Sequence, residues 1–353
     1  MTARHFLTIV AIVQGALLAA LLVLIMLNRW FRLRRSTRLT PRREALDASM
    51  RRWAAGTAPL AGVLVGLGRL PTPLAIDALV KWSARVPGER WRQLAQTLEH
   101  TWWAKLVRTN STSARWWKRL ECARFLSVAA VPTDVARLTR LIKDGHPAVH
   151  VAAVACLERM ENTPLTLTAL DRLPQLAPTV QAYYAAMLLR SRPVVVDHLQ
   201  KRLRRSDDPA LPRLAEFAAR LGEPALRERL TALADHTDPE VRIQSARALG
   251  SFPHKESVVA LKRLVTDDAW AVRAQAVRSL GMITDGSTLP LVRAALQDDV
   301  WWVRLRAALA LVRFAAPGRN ALLEAEVGAN PVASAVAKMV LGLPAQALAE
   351  FAA

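Results

Sequence analysis

The sequence predicts an all-α protein, a right-handed α-solenoid of about eight helix-pair repeats preceded by one transmembrane helix. Two observations lead to this prediction: an uncharged apolar run close to the N-terminus, and a pattern that returns every 31 residues through much of the remaining chain. The expected segments are a short periplasmic N-terminus (1–5), a transmembrane helix (6–28), a basic juxtamembrane segment (29–43), atypical N-terminal helices (44–103) and the solenoid (104–353).

The transmembrane helix is predicted from residues 6–28, FLTIVAIVQGALLAALLVLIMLN, which carry no charge. As a helix this run would be about 34 Å long at 1.5 Å per residue, enough for a bilayer core of about 30 Å. A cleaved signal peptide is the alternative. Its apolar region is usually about 7–15 residues long and ends at a small-residue cleavage site. Neither property fits the longer run that continues into LNRWFRLRR, so we expect a retained anchor.

Basic residues after the run predict its orientation. The positive-inside bias places the N-terminus outside and residues 29–353 in the cytoplasm. Arginines this close to a membrane surface are expected to contact anionic phospholipid. The arginines expected to do so are Arg29, Arg32, Arg34, Arg35 and Arg38.

Small residues recur every fourth position inside the run, at Ala11, Gly15 and Ala19. Such a stripe lets a second transmembrane helix approach closely, which favours an integral membrane protein as partner. The alternative is that glycine and alanine are simply common in membrane helices.

The formal net charge of +20 is concentrated near the anchor. Residues 29–124 hold 20 Lys/Arg against 6 Asp/Glu, whereas residues 125–353 hold 28 against 23. A basic surface spread along the whole chain, as expected for a nucleic-acid-binding protein, is therefore not indicated.

Residues 44–103 do not show the 31-residue pattern. They contain amphipathic stretches interrupted by prolines, which predict short helices. Within this segment, the apolar run 59–68 is too short to span a bilayer. We expect it to begin the solenoid core, because terminal repeats of an array are usually atypical. The alternative is that it dips into the bilayer surface.

The period of 31 is clearest in three Val-Arg pairs, Val241-Arg242, Val272-Arg273 and Val303-Arg304. The residue two positions before each valine marks the expected start of a helix. Stepping along the chain by 30 or 31 residues places that start at Trp116, Pro147, Pro178, Pro209, Pro239, Trp270, Trp301 and Pro331. Trp116 and Trp301 therefore occupy the same repeat position.

Each repeat has a local physical logic. Acidic clusters precede the helix, where free backbone N–H groups favour them, and proline is tolerated in the first turn. An apolar stripe follows, and glycine is expected to end the helix at Gly250 and Gly281. A second helix, such as 256–265, leads to the next turn. Two helices cannot enclose a core alone, so the pairs must stack.

This pattern resembles HEAT repeats, in particular the short bacterial type also seen in phycobilisome lyases, over residues 104–345 or thereabouts. The resemblance implies a ladder in which an arginine binds the acidic turn of a neighbouring repeat. The residues that match are Arg242, Arg273 and Arg304 with Asp238, Asp268 and Asp299. Earlier repeats depart from the pattern, because Arg119 stands in a different context and other residue types follow it. The ladder is therefore expected only in the later repeats.

Motifs for chemistry are weak throughout. His146 and His150 lie four residues apart but lack the glutamate of a zinc-protease helix, and Cys122 and Cys156 show no metal-type spacing. No catalytic, cofactor-binding or metal-binding residue is predicted. We expect no enzymatic activity, and no small-molecule substrate is evident.

Tryptophan is abundant, with eleven residues. The candidates for a protein interface are Trp116, Trp117, Trp270, Trp301 and Trp302. Filling of gaps between helices is the main alternative, and a membrane interface or stacking on single-stranded nucleic acid are others.

The function expected from these features is a scaffold at the bacterial inner membrane, with its solenoid in the cytoplasm and no cofactor. It would mediate protein–protein interaction, as an accessory of an inner-membrane complex such as an envelope or polysaccharide synthesis machine. The alternatives are a basic HEAT-like nucleic-acid-binding protein and an enzyme resembling the phycobilin lyases, but nucleic acid is not the expected partner.

Overall fold

A computed structural model describes residues 21–23, 26, 39–344 and 346–348. The chain packs as two compact units, Met1–Leu165 and Thr166–Ala353. The described residues are all-α and contain no β-strand. The predicted boundary between atypical helices and solenoid, at residue 104, lies inside the first unit.

The first unit is built from short helices joined by tight turns. Its described helices are α1 (39–54), α2 (Ala61–Gly68), α3 (Thr72–Ser83), α4 (Gly88–Glu99), α5 (Trp102–Thr109), α6 (Trp116–Ala129), α7 (Val135–Ile142) and α8 (Pro147–Val154). The next helix, α9 (Thr163–Arg172), begins at the end of this unit. Helix α6 packs against both α3 and α8, so the atypical helices and the first repeats share one core.

The second unit continues as helix pairs. Its helices after α9 are α10 (Pro178–Leu188), α11 (Arg192–Arg202), α12 (Leu211–Leu221), α13 (Arg227–Ala232), α14 (Pro239–Leu249), α15 (Lys255–Leu264), α16 (Trp270–Ile283), α17 (Leu289–Ala294), α18 (Trp301–Arg313), α19 (Ala315–Val327) and α20 (Pro331–Leu341). The first helices of consecutive repeats pack side by side, in the order α12, α14, α16, α18 and α20.

Seven of the eight predicted helix starts coincide with the start of a helix. The exception is α12, which begins at Leu211 and not at Pro209. A turn occupies the residues before it, where the carboxylate of Asp208 accepts a hydrogen bond from the amide of Ala210. That turn delays the helix by two residues.

The core of the second unit lies between the two helix layers. The valines of the three Val-Arg pairs, Val241, Val272 and Val303, are buried to within 1%. Apolar area removed from water contributes roughly 25 cal/mol per Å². Each repeat therefore gains stability from its neighbour, as the stacking argument requires.

Gly281 does not end its helix, contrary to the expectation from the sequence. It lies inside α16, which ends at Thr284 in the left-handed region (φ 55°). A Cβ atom on Gly281 would stand 2.5 Å from the Cβ of Ala310 in α18. The glycine is therefore needed for the close approach of two helices. Gly250 does cap the C-terminus of α14, with a right-handed conformation.

No helix within the part of the chain that the structure describes is long and apolar enough to cross a bilayer. Most of segment 6–28, including Ala11, Gly15 and Ala19, lies outside the described residues. The arginines of segment 29–38 lie outside them as well.

Candidate interaction surface

An arginine in the first turn of α16 connects two consecutive repeats. The Nε and Nη2 of Arg273 donate to the carboxylate of Asp298, over 2.7 and 2.9 Å. Its Nη1 donates to the backbone carbonyls of Asp267 and Asp268, over 2.9 and 3.2 Å. The guanidinium thus holds its own turn and the turn of the next repeat together.

The same geometry recurs one repeat earlier. Arg242 donates to the carboxylate of Asp267 over 2.7 and 2.8 Å, and its Nη1 donates to the carbonyls of His236 and Thr237. Each arginine lies 25 residues before its aspartate. The repeating bond is a rung of a ladder, and bidentate guanidinium–carboxylate pairs are among the stronger hydrogen-bonded contacts.

The carboxylates of the rungs belong to Asp267 and Asp298, which corrects the expected set of Asp238, Asp268 and Asp299. Asp238 instead caps α14 by accepting from the amide of Glu240. Asp268 and Asp299 contribute their backbone carbonyls. The reason is geometric. Asp267 and Asp298, which start their turns, face the arginine of the preceding repeat. The next aspartates, Asp268 and Asp299, are exposed to solvent.

A complete rung also occurs in the first unit, where the sequence led us to expect none. Arg119 donates to the carboxylate of Asp144 over 2.6 and 3.1 Å and to the carbonyls of Ser113 and Ala114. The interval between Arg119 and Asp144 is again 25 residues. That spacing, and not the residue preceding the arginine, is the signal that could have revealed the rung.

Two positions of the later array depart from the ladder. His236 takes the place of the aspartate before α14, and its Nδ1 accepts from the amide of Asp238 over 3.0 Å. Arg304 in α18 donates to the carbonyls of Asp298 and Asp299. Its Nε is buried and has no hydrogen-bond partner among the described residues, so the last rung lacks its carboxylate.

The rung aspartates are electrostatically stabilised in their charged form. Burial by itself disfavours the carboxylate, but hydrogen bonds from Arg273 and from the amide of Val300 outweigh it and lower the pKa of Asp298. The pKa values of Asp144 and Asp267 are lowered by the same combination. These carboxylates are therefore ion-paired structural elements of the ladder.

Five tryptophans expected at an interface are exposed in the structure. Their exposed fractions are 41% for Trp116, 48% for Trp117, 46% for Trp270, 41% for Trp301 and 53% for Trp302. All five lie in the first turn of a first helix. Exposed aromatic clusters on a folded domain are candidates for binding surfaces.

Each tryptophan pair is locally ordered by ring contacts. Trp301 and Trp302 meet edge to face with centroids 4.7 Å apart. Trp116 stacks on the ring of His146 at 4.0 Å, and Arg115 lies over the ring of Trp117. These contacts hold the rings in place on the surface, which reduces the entropy that a partner's binding would cost.

Other tryptophans serve the core, as the alternative interpretation proposed. Trp82, Trp91 and Trp103 are buried to within 6%. The indole of Trp82 donates to Asp47, and that of Trp91 donates to the carbonyl of Val128. The tryptophans between Trp82 and Trp117 therefore divide into core and surface residues, and sequence spacing did not separate them.

The first unit contains a cavity of about 230 Å³. It is lined in part by Trp91, Cys156 and Arg159. Burial raises the pKa of Cys156 to about 12, so the group is a neutral thiol at physiological pH. No cluster of three metal-ligating side chains occurs in the described residues.

Comparison with known proteins identifies the repeats. The sequence model of HEAT repeats matches residues 196–272 and 259–342. No curated protein sequence matches the chain.

Three solved structures are similar in part. The YibA protein of Escherichia coli is 12% identical, with a TM-score of 0.37, and the match covers 70% of this chain and 95% of that one. Human deoxyhypusine hydroxylase in complex with glycerol is 18% identical, with a TM-score of 0.29 and the same coverage of 70% and 95%. An engineered protein is 19% identical, with a TM-score of 0.34 and coverage of 79% and 87%. From the sequence match and the helical architecture, this chain contains HEAT repeats, and its described residues form an all-α fold.

Proposed function

We propose that this chain is a membrane-anchored HEAT-repeat scaffold that binds a protein partner through its exposed tryptophans. The observation that carries the proposal is the position of the two pairs, Trp116-Trp117 and Trp301-Trp302. Both pairs stand at the same place in the repeat, and both are exposed. Tryptophan is enriched at the energetic centres of protein interfaces, where its large ring leaves water on binding.

Membrane anchoring is part of the proposal. It is supported by the uncharged run 6–28 and by the arginines that follow it. Four described residues of that run have side chains that are 52–71% exposed: Leu21, Leu22, Val23 and Met26. A surrounding bilayer would remove these apolar side chains from water. A tether of this kind raises the effective concentration of the scaffold near membrane partners.

The proposed partner is an integral membrane protein of the bacterial inner membrane, with the solenoid on the cytoplasmic side. The stripe at Ala11, Gly15 and Ala19 would contact its transmembrane helix, and anionic phospholipid would surround the basic segment. The proposal assigns the chain no catalytic reaction, small-molecule substrate or cofactor. More specifically, the proposed complex is one that synthesises the cell envelope or a polysaccharide.

The test is crosslinking in membranes followed by capture in mild detergent and mass spectrometry. Trp301→Ala/Trp302→Ala is compared with the native chain and with the control Trp102→Ala, which removes a single tryptophan that is 70% exposed but outside the repeat position. We expect the pair variant to lose a membrane protein that the control retains. Equal capture by all three would contradict the proposal.

A second variant replaces residues 6–28 by an unrelated transmembrane helix. Loss of the partner would assign recognition to the stripe, and retention would assign it to the solenoid. Salt-sensitive DNA binding by the full chain, with no captured protein, would favour the nucleic-acid alternative.

A further inference from the structure

The last arginine of the ladder has an edge without acceptors. Arg304 donates through Nη1 to the backbone carbonyls of Asp298 and Asp299, over 2.7 and 2.9 Å. Its own turn therefore holds the guanidinium in the same way as the turns of Arg242 and Arg273 do. The other edge, formed by Nε and Nη2, donates to no acceptor among the described residues, and its Nε is buried. We call this edge the open rung.

The complete rungs show what such an edge binds. In each of them Nε and Nη2 donate to the two oxygens of one aspartate, over distances of 2.6–3.1 Å. These aspartates are Asp144, Asp267 and Asp298. A buried donor that leaves water without finding an acceptor costs free energy. A carboxylate that accepts from both nitrogens would remove that cost and add a charge-assisted pair.

The described residues supply no carboxylate at the equivalent place. Gly328 stands three residues before α20, where Asp298 stands before α18. The capping role of the aspartate passes to Asn330, whose Oδ1 accepts from the amides of Val332 and Ala333 over 3.1 and 3.2 Å. The turn therefore keeps a helix cap but gives the open rung no acceptor.

Two glutamates at the end of α19 do not take this role. The carboxylate of Glu324 lies 2.8 Å from the guanidinium of Arg293. Glu326 accepts from the hydroxyl of Ser334 through its backbone carbonyl, and its carboxylate forms no ion pair in the described part of the chain. We therefore look to a binding partner for the missing carboxylate.

Exposed apolar side chains flank the open rung along the chain. Trp301 lies one turn before Arg304 on α18 and is 41% exposed, and Trp302 beside it is 53% exposed. Val327 and Val332 flank the turn before α20 and are 86% and 41% exposed. Helices α18 and α20 pack against each other. A partner that reaches the open rung can therefore cover apolar surface as well, which is the usual composition of a protein interface.

We infer that the open rung binds a carboxylate side chain of the protein partner, within a segment that also covers Trp301 and Trp302. This inference rests on the proposed function and names the chemistry of the partner's segment. One aspartate or glutamate of that segment accepts from Arg304, as Asp298 accepts from Arg273. Apolar residues on either side of it pack on the tryptophans.

A single carboxylate fits the open rung better than a row of phosphates. The planar fork of a guanidinium matches the two oxygens of a carboxylate, as the complete rungs show. The exposed carboxylate of Asp299 next to the open rung would repel a nucleic-acid backbone or an anionic bilayer. One carboxylate tolerates such a neighbour, because Asp268 has the same position beside the complete rung of Arg273.

The test selects peptides from a phage library of random twelve-residue sequences on the full chain in mild detergent. Fluorescence anisotropy then measures the affinity of the enriched peptides for the native chain and its variants. Gly328→Asp offers the open rung a carboxylate from the chain itself, and Gly328→Ala is its matched control without the charge. Arg304→Gln removes the open rung. Its control is Arg242→Gln, which breaks a rung that Asp267 already completes, and circular dichroism checks that each variant is folded.

We expect the enriched peptides to share one aspartate or glutamate beside apolar residues. Replacing that residue by asparagine or glutamine should weaken binding by about tenfold or more, because a charged acceptor is lost. Gly328→Asp and Arg304→Gln should weaken binding by a similar factor. Gly328→Ala and Arg242→Gln should change it by less than about threefold.

Three outcomes would overturn the inference. The first is a set of enriched peptides that share no acidic residue. The second is equal affinity of the peptides for the native chain and for Arg304→Gln. The third is displacement of the peptides by inorganic phosphate at lower concentrations than by acetate, which would identify a phosphate ligand instead.

Capture of the membrane partner by crosslinking separates this inference from the proposed function. If Gly328→Asp and Arg304→Gln retain a partner that Trp301→Ala/Trp302→Ala loses, the proposed function stands and the inference fails. Loss of the partner by all three, with retention by Gly328→Ala and Arg242→Gln, supports both. Retention by the tryptophan variant contradicts the proposed function, and the peptide affinities then decide the inference alone.

Discussion

The guanidinium of Arg273 binds the carboxylate of Asp298, one repeat further along the chain, through hydrogen bonds of 2.7 and 2.9 Å. The side chains of the pair are only 18% and 13% exposed. Partial burial protects the pair from screening by salt, so it contributes more than an ion pair on the open surface. Arg119 with Asp144 and Arg242 with Asp267 repeat the arrangement.

The substitution Arg273→Gln should destabilise the chain by about 1–3 kcal/mol, because it leaves the partly buried carboxylate of Asp298 without its two donors. Urea unfolding followed by circular dichroism measures the effect. The matched control is Arg92→Gln, whose pair with Glu89 is 74% and 70% exposed and should change stability by less than about 0.5 kcal/mol. Equal effects of the two substitutions would contradict a stabilising role for the rung.

Stability should fall in acid through the same aspartates. The folded-state pKa values of Asp144, Asp267 and Asp298 lie below the ordinary value of 3.8. The unfolded chain therefore binds protons first, and the stabilisation is present above pH 3.8 and lost as pH falls through the lower folded-state values. Urea midpoints measured between neutral pH and about pH 3 should show this loss.

The double variant Asp267→Asn/Asp298→Asn should show a smaller loss in acid than the native chain. The control Asp268→Asn removes a carboxylate from the same turn, outside the rung, and should keep the acid dependence of the native chain. An unchanged profile in the double variant would show that the rungs do not contribute to acid sensitivity.

A carboxylate installed at Gly328 should complete the last rung. Gly328 stands three residues before the start of α20, as Asp298 stands three residues before α18. It follows Arg304 by 24 residues and not 25, because this repeat is one residue shorter. Its backbone angles, φ −71° and ψ 163°, are close to the −58° and 145° of Asp298. The variant Gly328→Asp gives the buried Nε of Arg304 an acceptor and should be more stable than Gly328→Ala by about 1 kcal/mol in thermal unfolding.

The comparison with Gly328→Ala separates the charge from the backbone effect. A Cβ atom at this position stands 3.2 Å from the carbonyl oxygen of Glu324 in both variants. The advantage of aspartate should vanish when Arg304 is replaced by Gln. If it persists, the gain comes from another contact and the rung is not formed.

The close approach of α16 and α18 predicts that Gly281→Ala is destabilising. Its added methyl would stand 2.5 Å from the Cβ of Ala310 and 2.8 Å from its Cα, so the helices must separate. Overpacking of this kind costs about 1–3 kcal/mol, more than the gain in helix propensity. The control Gly68→Ala, at the end of α2, meets no atom within 4 Å and should be neutral or slightly stabilising. Differential scanning calorimetry compares the melting temperatures of the two variants. Equal melting temperatures would show that α18 can move away from α16 without loss of stability.

Much of the helical array was predictable because its signals are local. Proline or tryptophan in the first turn, an acidic cluster before it and an apolar stripe after it all act within about two turns of one helix. These signals correctly predicted the starts of α8, α14 and α18. They failed at Pro209, where the turn around Asp208 delays α12.

The candidate surface was predicted less well. The place of a tryptophan in the repeat predicts a surface position. Trp116, Trp270 and Trp301 occupy that place and are exposed. Sequence spacing did not distinguish them from the buried Trp82, Trp91 and Trp103.

The sequence by itself determined the helical class, the 31-residue period and seven of the eight predicted starts of first helices, because caps and hydrophobic periodicity act over a few residues. Only the tertiary structure decided which aspartate completes each rung, which tryptophans are buried, and that Gly281 serves packing instead of termination. These features depend on distances between neighbouring repeats, set by how closely α16 and α18 can pack. Residues 25 to 31 positions apart become contacts only when the repeats stack.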